Sequence, residues 1–246
     1  MRKLLLGPTP DLHARQAARI RGSLRWSNIA ILSILATVLA LWVLHLISVI
    51  PPVLGGGGIP KELTAAFGKI QTPVPGATGF MIDANHFLTT QDALAGAGQE
   101  VKVADEATVS FPDSTGQLSA PAKGSISWIS EDLSGVRLVL VTMETPHEAT
   151  LPMVEGPLLD DQSYRIAGFQ TTEDGKDFLF TLPIKLFIAD GLGTVDWGDR
   201  DAPVAEGFPV LQRKDDGTIQ VQGILSSGLI AVPLPLEDLK TQGVKH

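Results

Sequence analysis

The chain is 246 residues long, enough for one domain of roughly 150–200 residues plus an appendage, and it contains no cysteine, which excludes disulfides, thiolate metal centres and a cysteine nucleophile. Apolar residues make up 44% and charged residues 19%, with a formal net charge of −8. The first 50 residues hold six of the 19 bases (Arg2, Lys3, Arg15, Arg19, Arg21, Arg25) and one of the 27 acids, Asp11, leaving 13 bases against 26 acids in 51–246; a body that acidic repels phosphate backbones, so nucleic-acid binding is discounted.

No charged residue falls between Arg25 and Lys61, and 29–50 is one apolar run, IAILSILATVLALWVLHLISVI. As a helix its length is about 33 Å, enough to cross a hydrocarbon layer of about 30 Å. The sequence therefore predicts a transmembrane helix over 28–50, with Trp26 at an interface and His45 near the outer one. A cleaved signal peptide is the rival reading. The length of the run, the long basic segment before it and its Ile-Pro-Pro end favour an uncleaved anchor. The bases all precede the run, so 1–27 is expected in the cytoplasm and the acidic bulk outside, in the periplasm of a bacterial inner-membrane protein. Residues 51–60, PPVLGGGGIP, read as a Pro/Gly linker, and 61–246 as the exported domain.

That domain begins with an expected short helix, Glu62–Phe67. From about 70 onward short apolar or alternating runs are separated by Gly, Asp, Asn and Pro. They predict strands at 79–83, 87–90, 101–103, 108–111, 125–129, 136–143, 164–169, 178–182, 185–189, 208–211, 219–226 and 229–232. Asp83–His86 and Lys214–Gly217 read as hairpin turns, and 236–242, after Pro235, as a closing helix. So many short strands at this spacing suggest an all-β barrel or sandwich pair.

Four stretches, in order, resemble the HtrA/Deg-type, trypsin-like serine proteases. Gly76–Leu94, GATGFMIDANHFLTTQDAL, is similar to the strand, hairpin and Thr-x-x-His segment that delivers the family's histidine. Ile129–Val141, ISEDLSGVRLVLV, resembles the strand that opens on the triad aspartate. Tyr164–Phe169, YRIAGF, resembles the family's Val-x-Ala-Ile-Gly turn. Ala202–Leu211, APVAEGFPVL, followed by Gly217–Leu225, GTIQVQGIL, is similar to the nucleophile loop and the hairpin after it. The resemblance covers about 160 residues and implies a chymotrypsin-like double β-barrel behind a single N-terminal transmembrane helix. It leaves no place for the family's PDZ domain.

The residues that carry the chemistry differ. The histidine position falls on Asp92, the aspartate position on Gly135 and the serine position on Glu206; of the glycines shaping the oxyanion loop, one is Val204 and another Phe208. Gln91, Ala93, Ala205 and Gly207 offer no rescue by a shifted register, and the histidines after the apolar run are His86 in a predicted turn, His147 in a loop and His246 at the end. Acyl transfer by this route needs a hydroxyl, an imidazole and an orienting carboxylate. The expectation is a pseudoprotease.

Three readings of Asp92 and Glu206 stay open: two solvated acids in a drifted cleft, oxygen ligands for Ca²⁺ or Mg²⁺, or a carboxylate pair performing residual hydrolysis. The loop VDWGDRDAP (195–203) carries Asp196, Asp199, Arg200 and Asp201 around Trp197; it reads as solvated, with Trp197 either a contact residue or tucked over a barrel end. Ser226, Ser227 and Gly228 lie where the family's substrate strand ends, either as an edge for strand addition or closed by their own loop. No cofactor is expected. The function anticipated is that of a structural or accessory subunit of a membrane complex (secretion, conjugation or respiratory), contacting other membrane or periplasmic proteins and the bilayer. A regulator that captures peptides in the vestigial cleft is the alternative.

Overall fold

The computed structural model describes residues 59–160, 162–172, 174–198, 203 and 206–245. The expected segments 1–27 and 28–50, most of the 51–60 linker, Val204, Asp199, Arg200, Asp201 and His246 lie outside the described residues. Among the described residues no helix is long and apolar enough to cross a membrane.

The chain enters through a single helical turn, α1 (Lys61–Thr64), shorter than the expected 62–67. Phe67 has the spacing of an apolar helical residue, but it is fully buried and instead opens β1 (Phe67–Ile70), paired with Phe80. Strands β2 (Thr78–Met81), β3 (His86–Thr90), β4 (Glu106–Ser110), β5 (Ala122–Ile129) and β6 (Leu138–Met143) follow, with a short helix α2 (Gln91–Ala95) after β3. The second half comprises β7 (Tyr164–Thr171), β8 (Asp177–Ala189), β9 (Leu192–Asp196), β10 (Phe208–Arg213), β11 (Ile219–Ser226), β12 (Ile230–Pro233) and the helix α3 (Leu236–Thr241).

Each half is a closed antiparallel barrel. The first runs β1-β2-β3-β6-β5-β4 and the second repeats that order as β7-β8-β9-β12-β11-β10. Closure leaves no free sheet edge, the usual problem of all-β domains. The expected strand at 101–103 is a turn: Lys102 N–H donates to Asp105 Oδ2 at 2.8 Å and Val103 is 59% exposed. The runs 178–182 and 185–189 form one strand, β8. Pro183 between them pairs with Arg165 of β7 but lies past the end of β9, whose Asp196 faces Lys185, so its missing N–H breaks no ladder there. The turns at 83–85 and 214–217 stand as expected, except that His86 opens β3.

The barrels share one apolar cluster. Phe67, Phe80, Leu88, Leu138 and Leu140 of the first belong with Phe169, Leu211, Val221, Ile224 and Val232 of the second. Two backbone contacts rivet the seam: Phe169 N–H donates to Thr78 Oγ1 and Thr78 N–H to the Glu206 carbonyl, both at 2.9 Å. A half-buried ion pair, Lys69 Nζ to Asp177 Oδ1 at 2.5 Å, joins β1 to β8. The connection between the barrels is itself stitched down: Leu151 N–H donates to the Met81 carbonyl, and Met153 forms a parallel bridge to Val221. Helix α3 buries Leu236 and Leu239, and beyond it Val244 is buried and Lys245 N–H donates to Asp83 Oδ2 at 3.0 Å.

Candidate functional site

The turn from β3 into α2 is set by Thr90, fully extended, whose hydroxyl accepts from Ala93 N–H at 3.3 Å as an N-cap. This places half-buried Asp92 in the first turn of α2, near the seam between the barrels and within electrostatic reach of Glu206. Gln91 N–H donates to the Arg137 carbonyl, bringing the β5–β6 loop alongside. In that loop Ser134 and Gly135 have φ of 57° and 89°, and Leu133 and Val136 exchange both backbone bonds across them. This is a two-residue turn of the left-handed kind. Gly135 is its exposed tip, with nothing within 4 Å of where a Cβ would stand. The position expected for the third triad residue therefore offers no side chain to Asp92 and Glu206.

Glu206 lies close enough to Asp92 to feel its charge; it is 9% exposed and stands two residues before β10. Its Oε1 accepts from Ser227 N–H at 2.9 Å and its Oε2 from Ser226 Oγ at 3.1 Å. Burial raises its pKa above the ordinary carboxylate value and the nearby Asp92 charge adds to the rise, while the bonds from Ser227 and Ser226 oppose it. Gln91 Oε1 is buried beside α2 without a partner.

The stretch Ser226–Gly228, expected either as an open peptide edge or as a closed one, is closed. Ser227 and Gly228 take φ of 54° and 64°, and Leu229 N–H donates to the Ser226 carbonyl. The Leu225 carbonyl accepts from Gly207 N–H, Ser227 N–H is taken by Glu206, and the Gly228 carbonyl accepts from Trp197 Nε1 at 2.7 Å. Strand addition through Ser227 N–H or the Gly228 carbonyl would have to break one of these bonds. Trp197 is only 8% exposed, packed into the second barrel's cluster, so its reading as a surface contact residue is corrected. Phe208 is also fully buried, its ring stacked edge-on against Phe180 (centroids 5.5 Å apart) and over Gly168, where a Cβ would meet it at 2.4 Å. Phe208, expected at an oxyanion-loop position, is part of the barrel core.

His86 Nδ1 faces Asp83 and His147 Nε2 donates to the Ala65 carbonyl at 2.7 Å, so both imidazoles are engaged with groups other than Asp92 and Glu206. Among the described residues no group of three or more His, Asp or Glu side chains is arranged to hold a metal, and two carboxylates fall short of the six to eight oxygens that Ca²⁺ takes.

No protein-family model and no curated protein sequence matches the chain. Solved structures do. Neuropsin, a serine protease expressed in the limbic system of mouse brain, superposes with a TM-score of 0.52 at 12% identity over 74% of this chain and 96% of its own. Glu endopeptidase in complex with MPD gives 0.58 at 12% identity over 78% and 95%. The chain has the chymotrypsin-like fold. Its mainly β architecture of two six-stranded barrels is that of these trypsin-like serine proteases.

The raised pKa of Glu206 has a measurable consequence. A carboxyl that is harder to ionise folded than unfolded adds stability below its unfolded pKa, and that stability is lost as pH rises through the folded value. Glu206→Gln keeps an acceptor for Ser227 and removes both the buried charge and its repulsion with Asp92. The variant is expected to be stabler than wild type by about 1 kcal/mol at pH 7, a Tm gain of roughly 2–4 °C. The gap should close as pH falls through the ordinary carboxylate range, which thermal melts at pH 4 to 8 will measure.

Proposed function

We propose that this chain is a non-catalytic, membrane-anchored trypsin-like domain that works by contact, as a structural or accessory subunit of a bacterial inner-membrane complex of the secretion, conjugation or respiratory kind. The observation that carries this reading is the condition of the nucleophile position. Glu206 there is a buried acceptor whose two oxygens are held by Ser226 and Ser227, a group that neither attacks a carbonyl as a serine does nor has an imidazole beside it. The Ser226–Gly228 turn, whose Ser227 N–H and Gly228 carbonyl are already bonded within the domain, weighs in the same direction and against the second reading, a regulator capturing peptides in the vestigial cleft.

The basic 1–27 segment, the uncharged 28–50 run and the Pro/Gly linker support single-pass anchoring with the N-terminus in the cytoplasm and the barrels in the periplasm. Partners on this reading are other membrane or periplasmic proteins; no cofactor is required.

Two measurements on the full-length protein in detergent test it. On casein and on small peptide esters it is expected to show no turnover above a buffer blank; turnover that disappears in Glu206→Gln would overturn the non-catalytic reading. Crosslinking in intact membranes followed by purification is expected to return the chain in a discrete complex of fixed stoichiometry. Recovery of a free monomer alone would overturn the accessory-subunit reading.

A further inference from the structure

The second barrel holds a cation that has no counter-ion. On β7, Tyr164 and Ile166 belong to the barrel's own inner cluster, while Ala167 and Phe169 belong to the cluster shared with the first barrel. Alternation puts Arg165 on the outer side of the strand, in register with Leu211 of β10 and Pro183 of β8. Arg165 is half-buried, and its Nη2 donates to Thr181 Oγ1 at 3.1 Å. Thr181 is itself only 7% exposed. The Arg165 Nε is buried without a partner; Nη1 makes no hydrogen bond among the described residues either, but it is not buried.

This sets Arg165 apart from the other bases. Among the described residues three lysines and arginines are not exposed: Lys69, Arg137 and Arg165. Lys69 is paired with Asp177 and Arg137 with Asp132. Arg165 makes no ion pair among the described residues, although acids outnumber bases 26 to 13 in 51–246. A guanidinium stays charged, and a charge drawn out of water costs stability unless it is paired. A place between Leu211 and Pro183 would suit an aliphatic side chain better than a lone cation.

We propose that Arg165 and Thr181 form a receptor for a carboxylate. The anion takes Nη1–H and the Nη2 proton that Thr181 leaves over. Thr181 Oγ1 accepts from Nη2, so it keeps its own proton to give to the same anion. The planar fork matches a carboxylate, and the acidic excess of the domain disfavours a dianion such as phosphate. The carboxylate comes either from a free small acid or from an Asp or Glu side chain of a partner protein; the chemistry is the same and the test separates them. The partner-borne form rests on the accessory-subunit reading, whereas the receptor itself does not.

Isothermal titration of the full-length protein in detergent with sodium acetate, at constant ionic strength, is expected to show saturable binding in the millimolar range. Acetamide and phosphate are expected to bind at least tenfold more weakly. Arg165→Lys keeps the charge but loses the fork, and is expected to weaken acetate tenfold or more; Thr181→Val is expected to weaken it threefold or more. Arg165→Met is expected to abolish binding and to raise Tm, because it removes a charge that the domain leaves unpaired; an arginine kept only for packing would lower Tm when replaced. Lys214→Gln, at an exposed base, is expected to leave acetate binding unchanged. Acetyl-Gly-Glu-Gly-amide binding more tightly than acetate identifies a partner's acidic side chain as the occupant; binding of acetate alone identifies a small acid. Acetate held by Arg165→Met as tightly as by wild type, or acetamide bound as well as acetate, overturns the proposal. Acetate binding by a chain that membranes yield only as a free monomer would overturn the accessory-subunit reading and leave the receptor standing.

Discussion

Gly207→Ala is expected to be the most damaging single-methyl change in the domain, lowering stability by about 3–5 kcal/mol and Tm by roughly 10–15 °C. Two costs coincide. Gly207 has φ of 75°, a conformation that L side chains adopt only under strain, and a Cβ there would stand 2.0 Å from the Thr78 carbonyl oxygen and 2.5 Å from Thr89 Oγ1. Neither neighbour is free to yield. The Thr78 carbonyl accepts from Thr89 Oγ1, and Thr78 also receives Phe169 N–H on its hydroxyl while giving its own N–H to Glu206. Moving Thr78 therefore loosens the seam between the barrels as well as β2. Chemical denaturation will read the loss; a drop below about 1 kcal/mol would mean that the seam is softer than this close packing implies.

Phe208→Gly tests how much of the second barrel's core rests on one ring, at a position where the pseudoprotease reading expects glycine in an active relative. Here Phe208 is fully buried against Gly168 and Phe180. Removing its ring is expected to cost about 3–5 kcal/mol, with roughly 0.5–1 kcal/mol more for glycine at the head of a strand. Melts of the variant should show a domain barely folded at 37 °C. A variant as stable as wild type would show that Phe208 fills no essential space.

Much of this architecture is legible in the sequence because the strands that matter are apolar runs cut by turn residues. Tyr164–Thr171, Ile219–Ser226 and the Lys214–Gly217 turn need no tertiary context. β9 escapes because Gly193, facing Leu186 and Ala231, is a buried position filled by a residue with no side chain, so LGTVD lacks an alternating apolar signal. α1 is overdrawn because Phe67 fits a helical face as well as it fits β1. α2 is too short to register as periodicity, and its visible mark is Thr90 as N-cap.

At the site, the approach of Asp92 to Glu206 follows from the order of four weak motifs and from nothing local. The caps on Glu206 come from residues 20 and 21 positions away, a separation at which sequence carries no geometry. Trp197 sits next to Asp196 and reads equally as an exposed contact or as tucked over a barrel end; neighbours in extended chain point to opposite sides, and the indole turns inward to Gly228.

The repeated strand order has a bearing on how the molecule is made. Each barrel closes its hydrogen bonds within one contiguous length of chain, 67–143 and then 164–233, so the first can form its ladder while the second is still being synthesised. Its inner residues Phe67, Phe80, Leu88, Leu138 and Leu140 nevertheless share a cluster with partners that arrive later. A half-finished chain thus exposes a greasy flank for as long as translation takes to supply the other half, and a fragment ending near 150 is expected to aggregate where the whole domain stays dispersed.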